Sequence, residues 1–393
     1  MIIGLYGLDF GSNNLGCVAL SYGFIEILKS IFQDENVDLI SFDECDMQLT
    51  NKLINSRNIT VTVAPKRSLK SFSGLSQLIQ DYKKCDLIFD FTAGDSFSDI
   101  YSKNTFYTRS IRKELVIYSK TPLILGSQTY GPFKSKLVSI VAAHIIKNSF
   151  EVFSRDNKSS SLIRKISKRN PIETLDVAFA LPYTRQTFYG KKKKIGVNPS
   201  GLLWSGGYEG NNQFGLKIDY KEFCVELITL LLKQGNYDVY LISHVRSKDL
   251  SSRDNDMVAC QELKRLFPQL VDSPFFDTPM EAKSYISGLD YFVGSRMHAT
   301  IAAFTSGVVT IPIAYSRKFE GLFQDLDYPY VINATEDNKT TILKKIFDIL
   351  ENEENTRTVY NKSLNKSIEM REFLTCEYEK VIKRACHGEV NER

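Results

Sequence analysis

Arg296, His298, Arg317 and Lys318 fall within one stretch, DYFVGSRMHATIAAFTSGVVTIPIAYSRKFEGLFQDLDY, residues 290–328. Cations of this kind hold a phosphate or carboxylate, and an imidazole among them can deliver a proton. The apolar run Tyr291-Phe292-Val293, the break at Gly294 and the recurrence of Met297, Ile301 and Phe304 at helical spacing predict strand, turn and helix. Ser295 is then the expected N-cap, which puts Arg296 and His298 in the first turn. Unpaired backbone N–H groups and the helix dipole favour an anion there. Gly307 ends the helix, Val308 to Ile313 forms the next strand, and Arg317 and Lys318 follow in a loop. Cations at helix starts are usually solvated and a lone His is more often packed than catalytic. Here several such groups share chain junctions, and this is one of only four His in the chain.

The same grammar positions other candidates. Ile2 to Tyr6 runs into a Gly- and Asn-rich turn containing Asn14, followed by a helix. Asp86 to Phe91 runs into Thr92–Asp99, offering Asp95 and Asp99 as carboxylates at the sheet's carboxyl edge. Pro122 to Gly126 leads to Gln128 and Tyr130, and Val152-Phe153 leads to Arg155, with Asp156 as its expected partner. Such repetition of strand and helix implies a mostly parallel sheet covered on both faces. Thr184 to Lys194 is the expected linker, its Lys191–Lys194 run read as solvated. The second half restarts with a strand leading to Asn198 and Ser200, continues through a Gly- and Asn-rich loop at Ser205 to Gly215, and reaches His244 at another strand end. Two doubly wound α/β domains are expected, 1–185 and 186–393, facing across a cleft. Two amphipathic tail helices from Lys339 would pack back on the first.

The chain has 393 residues, which suits two cores, and a net charge of +4, too balanced to indicate nucleic-acid binding. Seven Cys without a C-x-x-C pair point to free thiols in a reducing compartment, hence a cytoplasmic protein, and no metal or cofactor is called for. No apolar run reaches the roughly 18 residues of a membrane span, and the N-terminus lacks a basic leader.

The set Gly94-Asp-Ser-Phe-Ser-Asp99, Gly126-Ser-Gln-Thr-Tyr-Gly-Pro132, Ser154-Arg155-Asp156, Asp176-Val-Ala-Phe and Gly294-Ser-Arg-Met-His298 resembles the polysaccharide pyruvyl transferases over roughly residues 2–330. The resemblance implies a GT-B-like fold, with the acceptor on the first domain and phosphoenolpyruvate on the second. It implies transfer of pyruvate from phosphoenolpyruvate to a sugar as a cyclic ketal, in the making of a bacterial-type capsule or exopolysaccharide. Arg155, Ser295, Arg296, His298 and Lys318 would then contact phosphoenolpyruvate, with His298 as acid. Catalysis would involve His298, Arg296 and Asp95, and the acceptor would meet Asn14, Asp95, Asp99, Gln128, Tyr130, Asn198, Ser200 and His244. Cys17 stands where many members carry an acidic residue. The acceptor is left open between lipid-linked, nucleotide-linked and polymeric forms. A lipid-linked acceptor would imply peripheral contact with the inner face of the membrane. Oligomeric state is also open. The rival readings are a nucleotide-sugar-dependent GT-B glycosyltransferase and a non-catalytic module that binds phosphorylated glycans.

Overall fold

A computed structural model of the chain describes residues 1–100, 102–247 and 249–388, apart from the side chains of Arg317, Lys318 and Glu320. The elements are, in order, β1 (Ile2–Tyr6), α1 (Leu15–Ile31), β2 (Val37–Ser41), α2 (Met47–Ile54), β3 (Ile59–Val63), α3 (Phe72–Tyr82), β4 (Leu87–Asp90), α4 (Lys103–Ser119), β5 (Leu123–Gln128), α5 (Lys136–Asn148), β6 (Glu151–Ser154), α6 (Asn157–Ser167) and β7 (Ile172–Glu173). There follow β8 (Lys193–Asn198), α7 (Gly201–Trp204), α8 (Tyr220–Gln234), β9 (Tyr237–Leu241), α9 (Asp256–Leu266), β10 (Val271–Asp272), α10 (Pro279–Ile286), β11 (Tyr291–Gly294), α11 (Met297–Phe304), β12 (Val309–Ala314), α12 (Arg317–Gln324), β13 (Ile332–Asn333), α13 (Lys339–Glu351) and α14 (Glu353–Cys386).

The chain forms two compact units. One holds Met1–Gly11, Leu20–Ala180 and the chain from Glu369 on, the other Ser12–Ala19 and Leu181–Ile368. The first unit's sheet is wholly parallel in the order β3-β2-β1-β4-β5-β6-β7, so strand order reverses between β1 and β4. The second unit's parallel sheet runs β10-β9-β8-β11-β12-β13 and reverses between β8 and β11. Ligands of open α/β sheets bind beyond the carboxyl ends at such a reversal. Strands such as LIFD in β4, apolar up to its terminal Asp90, and VTIPIA in β12 are buried along their whole length, as both-face coverage requires.

Domain limits of 185 and 186 do not describe these units. Residues 12–19 belong to the second, because they add backbone to it. Asn14 forms an antiparallel bridge with Val245, Leu15 N donates to the His244 carbonyl at 3.2 Å, and Arg246 N donates to the Asn13 carbonyl at 2.9 Å. The expected linker is tied down too. Thr184 N and Gln186 N donate to Ser284 Oγ and Ser287 Oγ of the α10 region, and Lys193 and Lys194 open β8. At the other end of the chain, Tyr378 of α14 packs its ring on Phe24, Phe89 and Phe153 and accepts from Ser127 N at 3.0 Å, so the last turns of α14 complete the first unit's core.

Candidate active site

At the carboxyl edge of the second sheet, β11 and β12 pair in parallel and each feeds a helix, α11 and α12. Among the described residues, neither helix receives a side-chain cap. Their first N–H groups are therefore offered at neighbouring points of one edge, an arrangement suited to a phosphate or carboxylate. The cap of α11 is Arg296, not Ser295. Ser295 is unavailable because its Oγ accepts from Tyr220 Oη at 2.7 Å. His298 is the second residue of α11, half-buried at the helix mouth. Lys318 lies in the first turn of α12; its side chain is outside the described residues.

The arm at residues 12–19 reaches this histidine. Gly16 is buried against it, and a Cβ placed on Gly16 would stand 2.5 Å from His298 Nδ1 and 3.0 Å from His298 Cβ. Asn14 Oδ1 accepts from Gly16 N at 3.0 Å and holds the turn. Asn14 thus shapes the wall beside His298.

Behind His298 lies a charge network. Asp256, fully buried, accepts from Arg296 Nε at 2.9 Å and Nη2 at 2.7 Å, and from the backbone of Gly201, His244 and Val245 at 2.8, 3.0 and 2.9 Å. Arg296 Nη1 lies 2.7 Å from Asp254 Oδ1, and Nη2 also donates to the Asp254 carbonyl. Burial alone would lower the Arg296 pKa, but the two carboxylates outweigh it and raise it. The guanidinium faces these aspartates, so its part here is to fix the α11 entry; the direct phosphoenolpyruvate contact expected of it would require these pairs to open. Asn198 Oδ1 completes the lock by accepting from Arg296 N at 3.0 Å, while its amide donates to the Ile242 carbonyl. Ser200 caps the short α7. Asn198 and Ser200 are both buried, with their side chains engaged by backbone groups.

His244 is buried too, 2% exposed, and its backbone is held on both sides. Burial, reinforced by His298, Arg296 and Arg246, pushes its pKa down to about 3. An imidazole in the unfolded chain titrates near ~6.5, so below that pH the unfolded state binds the extra proton. Stability is therefore undiminished above about 6.5 and falls as the pH drops toward the folded value. The loss from this one group should reach on the order of 3 kcal/mol near pH ~4. Denaturant titrations across that range should show a shallower acid slope in His244→Asn than in the parent, and equal slopes would refute the assignment.

In the first unit, Arg155 follows β6, 2% exposed. Its Nη1 pairs with the buried Asp176 and its Nε donates to Thr129 Oγ1 at 2.8 Å. Asp156, the expected partner, instead caps α6 by accepting from Ser159 N at 2.7 Å. Arg155 Nη2 has no hydrogen-bond partner among the described residues. A buried guanidinium N–H left unpaired is costly, which sets this group apart from the paired Nη1 and Nε. Next to it, Thr92, Ala93 and Gly94 turn consecutively through φ 45°, 54° and 81°. For Thr and Ala this left-handed backbone costs roughly 1–2 kcal/mol per residue, strain that tends to persist at functional sites. Gly7, at φ 69°, is required opposite, since a Cβ there would collide with Thr92 N.

These two turns form the floor of a cavity of about 280 Å³ at the reversal between β1 and β4. Asp43 accepts from Gly7 N at 2.6 Å and pairs with Arg112 at 3.2 Å. Lys113 pairs with Asp90 at 3.0 Å, both buried, and Arg109 lines the wall with an Nη1 that lacks a partner among the described residues. Burial raises the Asp43 pKa and lowers that of Lys113. None of these residues was singled out from the sequence. Those that were sit elsewhere. Asp99 accepts from Lys134 N and Ser135 N at 2.8 and 3.0 Å ahead of α5. Gln128 donates to the Asp90 carbonyl, and Tyr130 is fully buried in the apolar core, so neither meets solvent. Asp95 closes the strained turn, beside Ser96.

A family model described as polysaccharide pyruvyl transferase matches residues 14–317, which takes in most of the arm, Arg155, Asp176 and His298. The amylovoran biosynthesis protein AmsJ of Erwinia amylovora is 22% identical over 300 residues, covering 71% of this chain and 69% of that protein. Among solved structures, Anabaena Alr3699/HepE in complex with UDP and glucose is similar at a TM-score of 0.60 and 11% identity, over 97% of this chain and 99% of that one. UDP-GlcNAc 2-epimerase from Neisseria meningitidis gives 0.58 and 10%, over 96% and 99%. At such identities the likeness carries the fold alone, a GT-B-like α/β fold of two doubly wound domains. The family match spans β11, α11 with its histidine, and β12 up to the start of α12, and the chain belongs to the polysaccharide pyruvyl transferase family.

Proposed function

We propose that the chain moves pyruvate from phosphoenolpyruvate to a sugar of a surface polysaccharide or its precursor, as a cyclic ketal with release of phosphate. The observation that carries this reading is His298 in the first turn of α11, with the N-terminus of α12 at the neighbouring strand end and neither helix capped by a side chain. Phosphoenolpyruvate has a phosphate and a carboxylate, and two adjacent helix mouths suit two anionic groups. His298 protonates C3, and C2 takes on positive character. One sugar hydroxyl adds to C2, the bond from C2 to the phosphate oxygen breaks, and the second hydroxyl closes the ring. One proton is consumed at C3 and two leave the hydroxyls, so one is released overall with the phosphate. Lys318, by its place in α12, would bind an anionic oxygen.

The cavity in the first unit would take one sugar ring of the acceptor. Its volume equals about nine water molecules at ~30 Å³ each, and its mixture of carboxylates with guanidinium groups suits hydroxyls, which both donate and accept. Incubation with phosphoenolpyruvate and a panel of glycosides should release orthophosphate and give a product heavier by one pyruvyl ketal. Release of a nucleoside diphosphate from nucleotide sugars instead would favour glycosyl transfer, and ligand binding without product would leave a binding module.

Gly16→Ala should lower kcat on the order of 10²-fold, because its methyl displaces the His298 ring by a fraction of the contact distance that general acid catalysis requires. Phosphoenolpyruvate binding should change far less. Unchanged kcat in the folded variant would refute the role given to the arm.

A further inference from the structure

Residues 101–170 carry 14 Lys and Arg against three acidic residues, a net of +11, whereas the other 323 residues carry 36 against 43, a net of −7. The near-neutral total conceals a strongly polarised chain. This basic segment lies wholly in the first unit, where α4, α5 and α6 pack side by side.

On α5, Lys136, Leu137, Ile140, His144 and Lys147 share one exposed stripe. Leu137 is 59% and Ile140 57% exposed. On the adjoining α4, Ile111 and Tyr118, two helical turns apart on one face, are 47% and 74% exposed. Glu114 and His144 bridge the two helices at 3.5 Å and are the titratable groups facing this patch. Lys120 and Lys134 flank it, and exposed Lys158, Arg164, Lys165 and Lys168 extend the basic surface along α6 and the residue after it.

We propose that this face of α4 and α5 docks the protein on a bilayer carrying anionic headgroups. Aliphatic and tyrosine side chains would enter the boundary between headgroups and acyl chains, while the lysines around them meet the negative surface. Charge complementarity selects an anionic partner, and the exposed apolar stripe selects a bilayer over a nucleic acid or an acidic polysaccharide, which has nowhere to receive Leu137 and Ile140. No helix among the described residues is long and apolar enough to cross a membrane, so contact along a helix face is the mode open to α4 and α5. This docking is independent of the transfer chemistry, and its failure would leave that reading untouched.

Co-sedimentation with vesicles tests it. Partitioning onto phosphatidylcholine containing about a third phosphatidylglycerol should exceed that onto phosphatidylcholine alone by roughly tenfold or more, and should collapse at high salt. Leu137→Ser with Ile140→Ser should lower it about tenfold while the circular dichroism melt stays in place. Lys134→Gln, Lys136→Gln and Lys147→Gln together should do the same. Lys233→Gln, Lys344→Gln and Lys362→Gln, the same charge change in the second unit, should not. Equal partitioning onto both vesicle types overturns the proposal. So does undiminished partitioning of the Leu137→Ser, Ile140→Ser protein, which would make the face a general polyanion surface.

Discussion

His298→Ala should lower kcat by about 10³-fold, within the range that general acid groups contribute, while phosphoenolpyruvate binding falls by much less. The imbalance follows from geometry. The anionic groups of the donor would be met by backbone N–H groups at two helix mouths, which the substitution leaves in place. The proton for C3 has no comparable second source on α11, whose other first-turn side chains are Met297 and Ala299. His298→Gln, which keeps hydrogen-bonding capacity without acid strength, should be nearly as slow. Calorimetric titration with phosphoenolpyruvate beside steady-state phosphate release separates binding from chemistry. A kcat within tenfold of the parent would remove His298 from the role of acid and return it to packing.

Much of this edge could be read from residue order because its signals are local. Tyr291-Phe292-Val293, Gly294 and the Ala-rich helix specify strand, turn and close packing within a dozen residues, and the structure places β11 and α11 there. The cap could not be read so well, since Ser295 is taken by Tyr220, 75 residues away in sequence. The arm at 12–19 has the same character. Its sequence reads as an ordinary β-to-α turn, and only the bridge from Asn14 to Val245 makes it part of the second unit. Arg155 likewise chose Asp176 over its neighbour Asp156, because Asp156 already serves the first turn of α6.

The first unit's cavity was missed because α4 was missed. The inward face of that helix includes Ser110, Lys113 and Ser119 beside Phe106 and Val116, so its apolar periodicity is broken, in part by the Lys113 that lines the cavity. Candidates taken from loops after β4 and β5, Asp99, Gln128 and Tyr130, turned out to satisfy backbone or fill core. Polar residues at strand ends have to bind the loop's own N–H groups before any ligand, and sequence does not reveal which remain over. The charge polarity of residues 101–170 was legible in the sequence, but only in a window, because the whole-chain sum cancels it.

Asp256→Ala should destabilise the second unit by about 3–5 kcal/mol, the cost of leaving a buried charge without its partner. Asp256 is fully buried and gathers five donors from three separate segments: the start of α7, the backbone after β9, and Arg296 at the mouth of α11. Without it the three backbone N–H groups lose their acceptor, and Arg296, 8% exposed, keeps only Asp254. Asp256→Asn should be nearly as damaging, since its amide adds a donor where only acceptors fit. Trp204, the one Trp of the chain, is buried at the end of α7, so its fluorescence during urea unfolding reports on the second unit. Adding Arg296→Met to Asp256→Ala removes the stranded charge and should restore part of the loss, giving a coupling of at least about 1 kcal/mol in a double-mutant cycle. A loss below about 1 kcal/mol in Asp256→Ala would mean that water or Asp254 takes over the guanidinium. The α11 entry would then owe its position to Asn198 and the strand pairing instead of to this carboxylate.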